Sequence, residues 1–322
     1  MPPAVTTAET PAFVHQSVLM EAVKAAMPSQ AHTLVDATLG GGGHALSLLE
    51  QSPTAQLFGC DRDPAALEAA QQRLQPHAQR IMLKQLAFDD LHHQVLLGTV
   101  DFLLADLGVS SPQIDVGERG FSFMQDGPLD MRMEGPQDTP HPRKTAADLV
   151  QQLSAKELKQ LIWRYGEDNM APKIAAAIVK AREQEPILRT GQLAKIVAQA
   201  VPTKLHRKGH HPATRTFQAL RMEVNDELGQ LERLLTIAPR LLANGGRLAV
   251  ITFHSLEDRM VKTTFRSWIH PCTCPPNLPA CACGKLPLGR LVHKKAVGAT
   301  EEEIKGNPRS RSAKLRVFER IW

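Results

Sequence analysis

Four consecutive glycines, Gly40 to Gly43, stand between Asp36 and His44, and Asp61 closes the next apolar run. Glycine has no side chain to hold a ligand off and tolerates positive φ, so main-chain N–H groups can approach a bound molecule closely. The helix opened by His44 presents further unsatisfied donors at its N-terminus. An acid about twenty residues beyond such a turn is placed to accept hydrogen bonds from ribose hydroxyls. The pattern therefore describes a cofactor that carries adenosine. Gly40, Gly42 and Ala45 also satisfy the loose G-x-G-x-x-G/A spacing of a nicotinamide or flavin site. Asp36 tips the balance. A carboxylate before the first glycine can meet an ammonium, directly or through water, whereas a pyrophosphate has no use for it. S-adenosylmethionine, with its sulfonium and ammonium, is the cofactor this turn favours. An idle loop is least favoured, since each ordered glycine costs roughly 0.5–1 kcal/mol relative to alanine inside regular structure.

Asp106 ends a strongly apolar run and precedes Leu107-Gly108-Val109-Ser110-Ser111-Pro112-Gln113. The exocyclic amine of a nucleobase is a weak nucleophile because its lone pair is delocalised into the ring. A carboxylate that accepts N–H returns density to nitrogen, and Asp106 has the type and place for that role. Capping of the next turn is the plain alternative. His254, in Phe253-His254-Ser255, is a second catalytic candidate, with Ser255 expected to cap the following helix. Asp130 and Arg132 lie in Gly120–Met133, a stretch carrying two Phe and three Met. They either reach a substrate, Asp130 for catalysis and Arg132 for RNA, or pair with each other.

Basic residues gather in three places: Lys204, Arg207 and Lys208 among histidines, then Arg290 to Lys295, then Arg309 to Lys314. Three such patches lean toward a polyanion such as nucleic acid rather than ordinary solvated surface. Arg215, early in a helical stretch, suits a phosphate contact. Cys272-x-Cys274 and Cys281-x-Cys283 offer four thiols for zinc. The spacing is not the usual C-x2-C, and reduced thiols in a proline-stiffened loop rank ahead, so no metal is assigned.

These groups need a scaffold that brings strand ends together. Strand and helix patterns alternate from Ser17 to Asp106, with strands at 33–37, 56–60, 80–84 and 100–106. That βαβ series argues for an α/β fold with a doubly wound parallel sheet, whose ligand crevice lies at the strand carboxyl ends. Residues 107–144 lose the pattern. Helical stretches then run to Val201 with no strand between them. The α/β pattern resumes with helices from Ala213, a strand at Arg247–Phe253, a helix at Leu256–Trp268 and a strand at Ala313–Ile321. Asn244-Gly245-Gly246 reads as the stop between helix and strand. The expected division is a disordered tail at 1–12, a core at 13–111 and 209–322, and an inserted all-helical domain at 112–208.

The 322 residues carry 38 basic and 33 acidic side chains, a mild excess of +5. No apolar run approaches a membrane span, and the first residues resemble neither a secretory nor a transit signal. A cytoplasmic location with no membrane contact is expected. Aromatic residues make up 4% of the chain, which excludes a broad stacking platform for single strands.

Taken together, Asp36–His44, Asp61-Arg62-Asp63-Pro64, Asp106–Asp115, Gly120–Met133, His211–Arg221, Phe253–Lys262 and Arg309–Arg316 closely resemble the bacterial small-subunit ribosomal RNA cytosine-N4 methyltransferases. The resemblance implies a Rossmann-like methyltransferase core with the helical insertion recognising substrate. It implies methyl transfer from S-adenosylmethionine to the N4 amine of a cytidine in the decoding region, within a partly or fully assembled small subunit. Family cofactor contacts fall on Gly42, Gly43, His44, Asp61, Phe88, Asp106 and Gln113. The chain departs from other amino methyltransferases in lacking paired prolines and an aromatic residue directly after Asp106. A nicotinamide-dependent oxidoreductase and a non-catalytic RNA-binding assembly factor are the alternatives from other classes, and a homodimer is left open.

Overall fold

The computed structural model describes residues 17–136, 143–205, 211–275 and 282–321. The expected tail at 1–12, together with Arg207, Lys208 and Cys281, lies outside them. The first half of the core runs α1 (Met20–Ala26), β1 (Thr33–Asp36), α2 (Gly43–Gln51), β2 (Gln56–Asp61), α3 (Pro64–Arg73), β3 (Ile81–Gln85) and β4 (Val100–Asp106). Helices α4 (Ser111–Asp115), α5 (Ala146–Gln152), α6 (Ala155–Gly166), α7 (Ala171–Arg182), α8 (Thr190–Ala200), α9 (Thr214–Asn225) and α10 (Glu227–Leu241) follow. The chain then forms β5 (Leu242–Thr252), α11 (Ser255–Ile269), β6 (Gly289–Leu291), β7 (Val297–Gly298), α12 (Glu301–Gly306) and β8 (Lys314–Arg320).

Among the described residues one sheet forms in the order β3-β2-β1-β4-β5-β8-β6, with β7 also on β8. The strands β3, β2, β1, β4 and β5 are mutually parallel, and β8 runs antiparallel to β5 and β6. β4 shows why the sheet is central. Phe102, Leu103, Leu104 and Ala105 are all buried, the continuous apolar run expected of a strand covered on both faces. Phe102 and Leu104 join the cluster under α1, α2 and α3, while Leu103 and Ala105 join the cluster under α10 and α11. The period of two thus sets one helical layer on each side.

Strand order reverses between β1 and β4. The chain steps outward from β1 through β2 to β3, then returns to β4 on the other side of β1. Such a switch point opens a crevice at the strand carboxyl ends. Asp36 ends β1 and Asp106 ends β4, so the two glycine- and serine-rich turns that follow them flank that crevice.

Two expectations change. Asn244-Gly245-Gly246 lies within β5, which starts at Leu242 and shifts register against β4 between Val100 and Phe102. Gly245 takes a left-handed φ of 78° there, so the chain turns within the strand's span and regular pairing with β4 resumes at Arg247. The helical cluster also reaches past residue 208: Ala213, Phe217, Leu220 and Val224 of the α9 region pack with Leu158, Ile162 and Ile174. At the other limit, α4 starts at Ser111 and lines the crevice of the core. The expected limits at 112 and 208 therefore cut across packed structure.

Candidate active site

The crevice encloses about 480 Å³, the size of a site for one small molecule. Gly43, His44, Asp61, Phe88, Asp106 and Gln113 all line it. At the end of β2, Asp61 accepts the Gly40 N–H on Oδ2 at 2.8 Å and the Asp63 N–H on Oδ1 at 2.9 Å. Each carboxylate oxygen has two lone pairs, so one on each remains for a ribose hydroxyl. Burial raises the Asp61 carboxyl above its ordinary value, and these N–H groups pull it back. Arg73 lies beside the glycine turn: a Cβ added at Gly43 would stand 3.3 Å from its Nη1. A cation there suits the carboxylate of an amino-acid moiety.

Two of the expected cofactor contacts sit elsewhere. Gly42 does not line the crevice. Its φ of 75° starts α2, and a Cβ there would meet Ala70 Cβ at 3.3 Å. Its missing side chain serves the packing of α2 on α3. Asp36 is buried behind the turn, where Oδ1 accepts the Thr38 N–H at 3.2 Å. Burial lifts its carboxyl from 3.8 to about 7, opposed by His44 and the Thr38 N–H. It acts on the crevice through its neighbours. Burial works to keep the His44 ring neutral, but Asp106 and Asp36 outweigh it and raise its pKa.

Asp106 stands where the two walls meet. His44 Nε2 is 3.5 Å from its Oδ2, and its Oδ1 is buried with no hydrogen-bond partner among the described residues. The Asp106 side chain lines the crevice and is 24% exposed, so its carboxylate can meet a ligand donor there; a buried oxygen left unpaired costs about 1–3 kcal/mol. The turn after it is fixed by a capping box, in which Ser110 and Gln113 exchange hydrogen bonds at the start of α4. Gln113 Nε2 and Arg119 Nη1 both donate to Asp63 Oδ2, at 3.1 and 2.7 Å, tying that turn to the end of β2.

The other catalytic candidates have structural posts. Asp130 and Arg132 form a two-pronged ion pair at 2.8 and 2.6 Å, and neither lines the crevice. Arg132 is buried, which removes it from the RNA contacts as well. His254 is itself the cap of α11: Nδ1 accepts the Glu257 N–H at 3.4 Å, and Nε2 lies 3.1 Å from Glu257 Oε1. Ser255 is the first helical residue and donates to Glu167 instead. Burial opposes a charge on Glu257, yet His254, the Phe253 N–H and Arg221 hold its carboxyl below the ordinary range. Among the basic residues, Lys204 is exposed, and Arg215 keeps one nitrogen on the Glu167 carbonyl at 2.5 Å.

Sequence reasoning passed over several lining residues. Phe253 lies beyond β5 against the Asp106 turn, and a Cβ at Gly108, whose φ is 103°, would stand 3.5 Å from its Cδ2. Arg119, Glu257 and Arg309 also line the crevice, and Arg309 reaches Asp115 of α4. Phe253 and Arg309 fall in the motif segments that carried the resemblance, which was the signal available. Asn225 is a buried clasp: its side chain accepts from Met133 N and donates to Met131 O, fastening the loop of Gly120–Met133 to α9.

Asp61, a glycine turn and Asp106 meet at the switch point of a sheet whose last described strand is antiparallel. The class so defined is the Rossmann-like methyltransferases. The chain belongs to the MraW methylase family, which matches residues 12–321. A ribosomal RNA small subunit methyltransferase H of Symbiobacterium thermophilum is 51% identical over 96% of this chain and 98% of its own length. Proteins of the same name from Geotalea uraniireducens and Trichlorobacter lovleyi are 48% and 49% identical, each over 96% of this chain and 99% of their own. Membership of a methylase family removes the nicotinamide-dependent reading of the glycine turn.

Proposed function

We propose that this enzyme transfers a methyl group from S-adenosylmethionine to the N4 amine of a cytidine in the decoding region of small-subunit ribosomal RNA. The observation that carries the reading is Asp106, an open carboxylate at a strand end between the glycine turn and Phe253. When bound, S-adenosylmethionine supplies an electrophilic methyl carbon on a sulfonium. Asp61 would hold the ribose, the glycine turn would admit the chain of the cofactor, and Arg73 would be the cation for its carboxylate. Asp106 accepts N–H from the amine, orients its lone pair toward the methyl carbon, and stabilises positive charge as it builds on nitrogen. The methylated ammonium is strongly acidic, so its proton leaves without a dedicated strong base.

Lys204, Arg207, Lys208 and Arg215 contact the RNA backbone in this reading, and the helical cluster offers a second surface beside the crevice. In this reading the RNA is met within a partly or fully assembled subunit, and the enzyme works in the cytoplasm. No described helix is long and apolar enough to cross a membrane. The test is methyl incorporation from labelled S-adenosylmethionine into free small-subunit RNA, immature particles and mature subunits, with the product nucleoside mapped. Label on cytidine N4 supports the reading. Binding to RNA with no incorporation into any of the three overturns it in favour of the assembly factor. Sedimentation of the free protein checks for a homodimer.

A further inference from the structure

The segment between α11 and β6 holds cysteines that the methyl-transfer reading does not use. Among the described residues it contains no helix or strand from His270 to Leu288. Among its described residues, Leu286 is 66% and Leu288 37% exposed. The base of the loop is closed by the Leu288 N–H on the Trp268 carbonyl at 2.8 Å. A loop of this length without internal structure is uncommon in a compact domain. The sulfurs of Cys272, Cys274 and Cys283, on the two sides of the loop, all lie within 4.8 Å of one another.

We infer that Cys272, Cys274 and Cys283 form a structural zinc site. A tetrahedral Zn2+ with Zn–S bonds of about 2.3 Å holds its sulfurs about 3.8 Å apart, inside the spacing seen here. A polynuclear iron–sulfur cluster spreads its thiolates further. Three soft thiolates select zinc over magnesium or calcium, which take oxygen ligands. The surroundings favour thiolates over thiols. The Ala282 N–H donates to Cys274 Sγ at 3.3 Å. Lys285 Nζ reaches Thr273 Oγ1, between two of the ligands, at 3.3 Å, which brings a cation beside them. Hydrogen bonds and positive charge both stabilise the deprotonated sulfur that binds metal. Binding releases the thiol protons to solvent, and no electron changes hands. The bound ion ties the two sides of the loop together just before β6, the strand that pairs with β8. Cys281 lies outside the described residues and is left out of the ligand set.

The test is elemental analysis of the full chain, purified under reducing conditions without chelator. The expected result is close to one zinc per chain, lost in the Cys272→Ser/Cys283→Ser variant, with affinity for S-adenosylmethionine retained. A second measurement guards against a variant that fails to fold. Wild-type protein stripped with chelator is titrated with Co2+, and the thiolate-to-cobalt charge-transfer band is expected to saturate at one equivalent. Four results overturn the site: iron in place of zinc, no metal above the level of the serine variant, zinc retained by that variant, or no charge-transfer band on adding Co2+. A disulfide between these residues in the reduced preparation overturns it as well.

Discussion

The two ends of the crevice are built on different principles. At the β1–β2 end, groups close in sequence and main-chain donors do the work: Gly40 N–H to Asp61, Asp63 N–H to Asp61, Thr38 N–H to Asp36. On the opposite side, side chains far apart in sequence tie α4 and the loop beyond it to the end of β2 and to the segment before β8. Arg119 reaches Asp63 across 56 residues, Arg62 reaches Glu134 across 72, and Arg309 reaches Asp115 across 194. The difference teaches that a cofactor end can be specified by one short motif, whereas a substrate end must be assembled by the fold. Perturbing one end should therefore leave the other largely intact.

The sharpest test is Asp106→Asn. It keeps the shape but can turn a donor toward the amine, and turnover is expected to fall at least about a hundredfold. RNA affinity is expected to hold. Single-turnover rates at saturating cofactor and RNA measure it, and wild-type rates would reduce Asp106 to a turn residue. Next is Asp61→Ala at the opposite end. Loss of charge-assisted hydrogen bonds, worth about 1.5–3 kcal/mol each, should weaken S-adenosylmethionine at least tenfold by calorimetry without changing RNA affinity. Equal losses for both ligands would dissolve the distinction between the ends.

Phe253 refines the substrate end. Of the phenylalanines lining the crevice, Phe88 follows β3 and Phe253 follows β5, beside the Asp106 turn. A base stacked on an aromatic face gains about 1–3 kcal/mol. Phe253→Leu is expected to lower kcat/KM for RNA roughly tenfold, and Phe253→Tyr to restore most of it. Equal activity of the two variants would make the ring mere packing.

Two smaller effects complete the order. The folded-state pKa of Asp36 is raised to about 7, so the folded protein holds a proton that the unfolded chain has lost between pH 3.8 and 7. Stability falls as pH rises through that window. His44 is also raised, so its contribution is present below its ordinary value and lost as pH climbs through the folded one. Both slopes have the same sign, and thermal melting from pH 5 to 8, a range of about three units around these values, should show a decline that Asp36→Asn flattens. Finally, Lys204→Ala, Arg207→Ala and Lys208→Ala together should reduce the salt slope of RNA binding by about 0.7–0.9 for each phosphate that the variant no longer neutralises. Cofactor affinity should be untouched.

The same division explains what could be read beforehand. The strands, the glycine turn and the placing of Asp61 and Asp106 at strand ends follow from local apolar runs and spacing. The cap of α11 does not. Ser255 with Asp258 and His254 with Glu257 both offer an acid three residues after a capping side chain. The second frame forms, while Asp258 pairs with Lys314 and Arg316 of β8, 56 and 58 residues away. Asp130 was open in the sequence for a related reason: whether it reaches outward or pairs with Arg132, as it does here, depends on how the loop folds around it. Gly42 was legible as a glycine that the backbone requires, but its neighbour Ala70 on α3 was not.

The position of β8 also bears on how the chain is made. It is the last of the described strands, yet it fills the slot between β5 and β6. A ribosome emitting this chain exposes β5, with Leu248, Val250 and Ile251 in it, as a raw edge until β8 emerges. Raw apolar edges invite pairing with other chains. A product that stalls before β8 would carry the glycine turn, Asp61 and Asp106, and so look complete at the cofactor end. It would nonetheless present a sticky strand, a substrate for chaperones and proteases rather than a partly active enzyme.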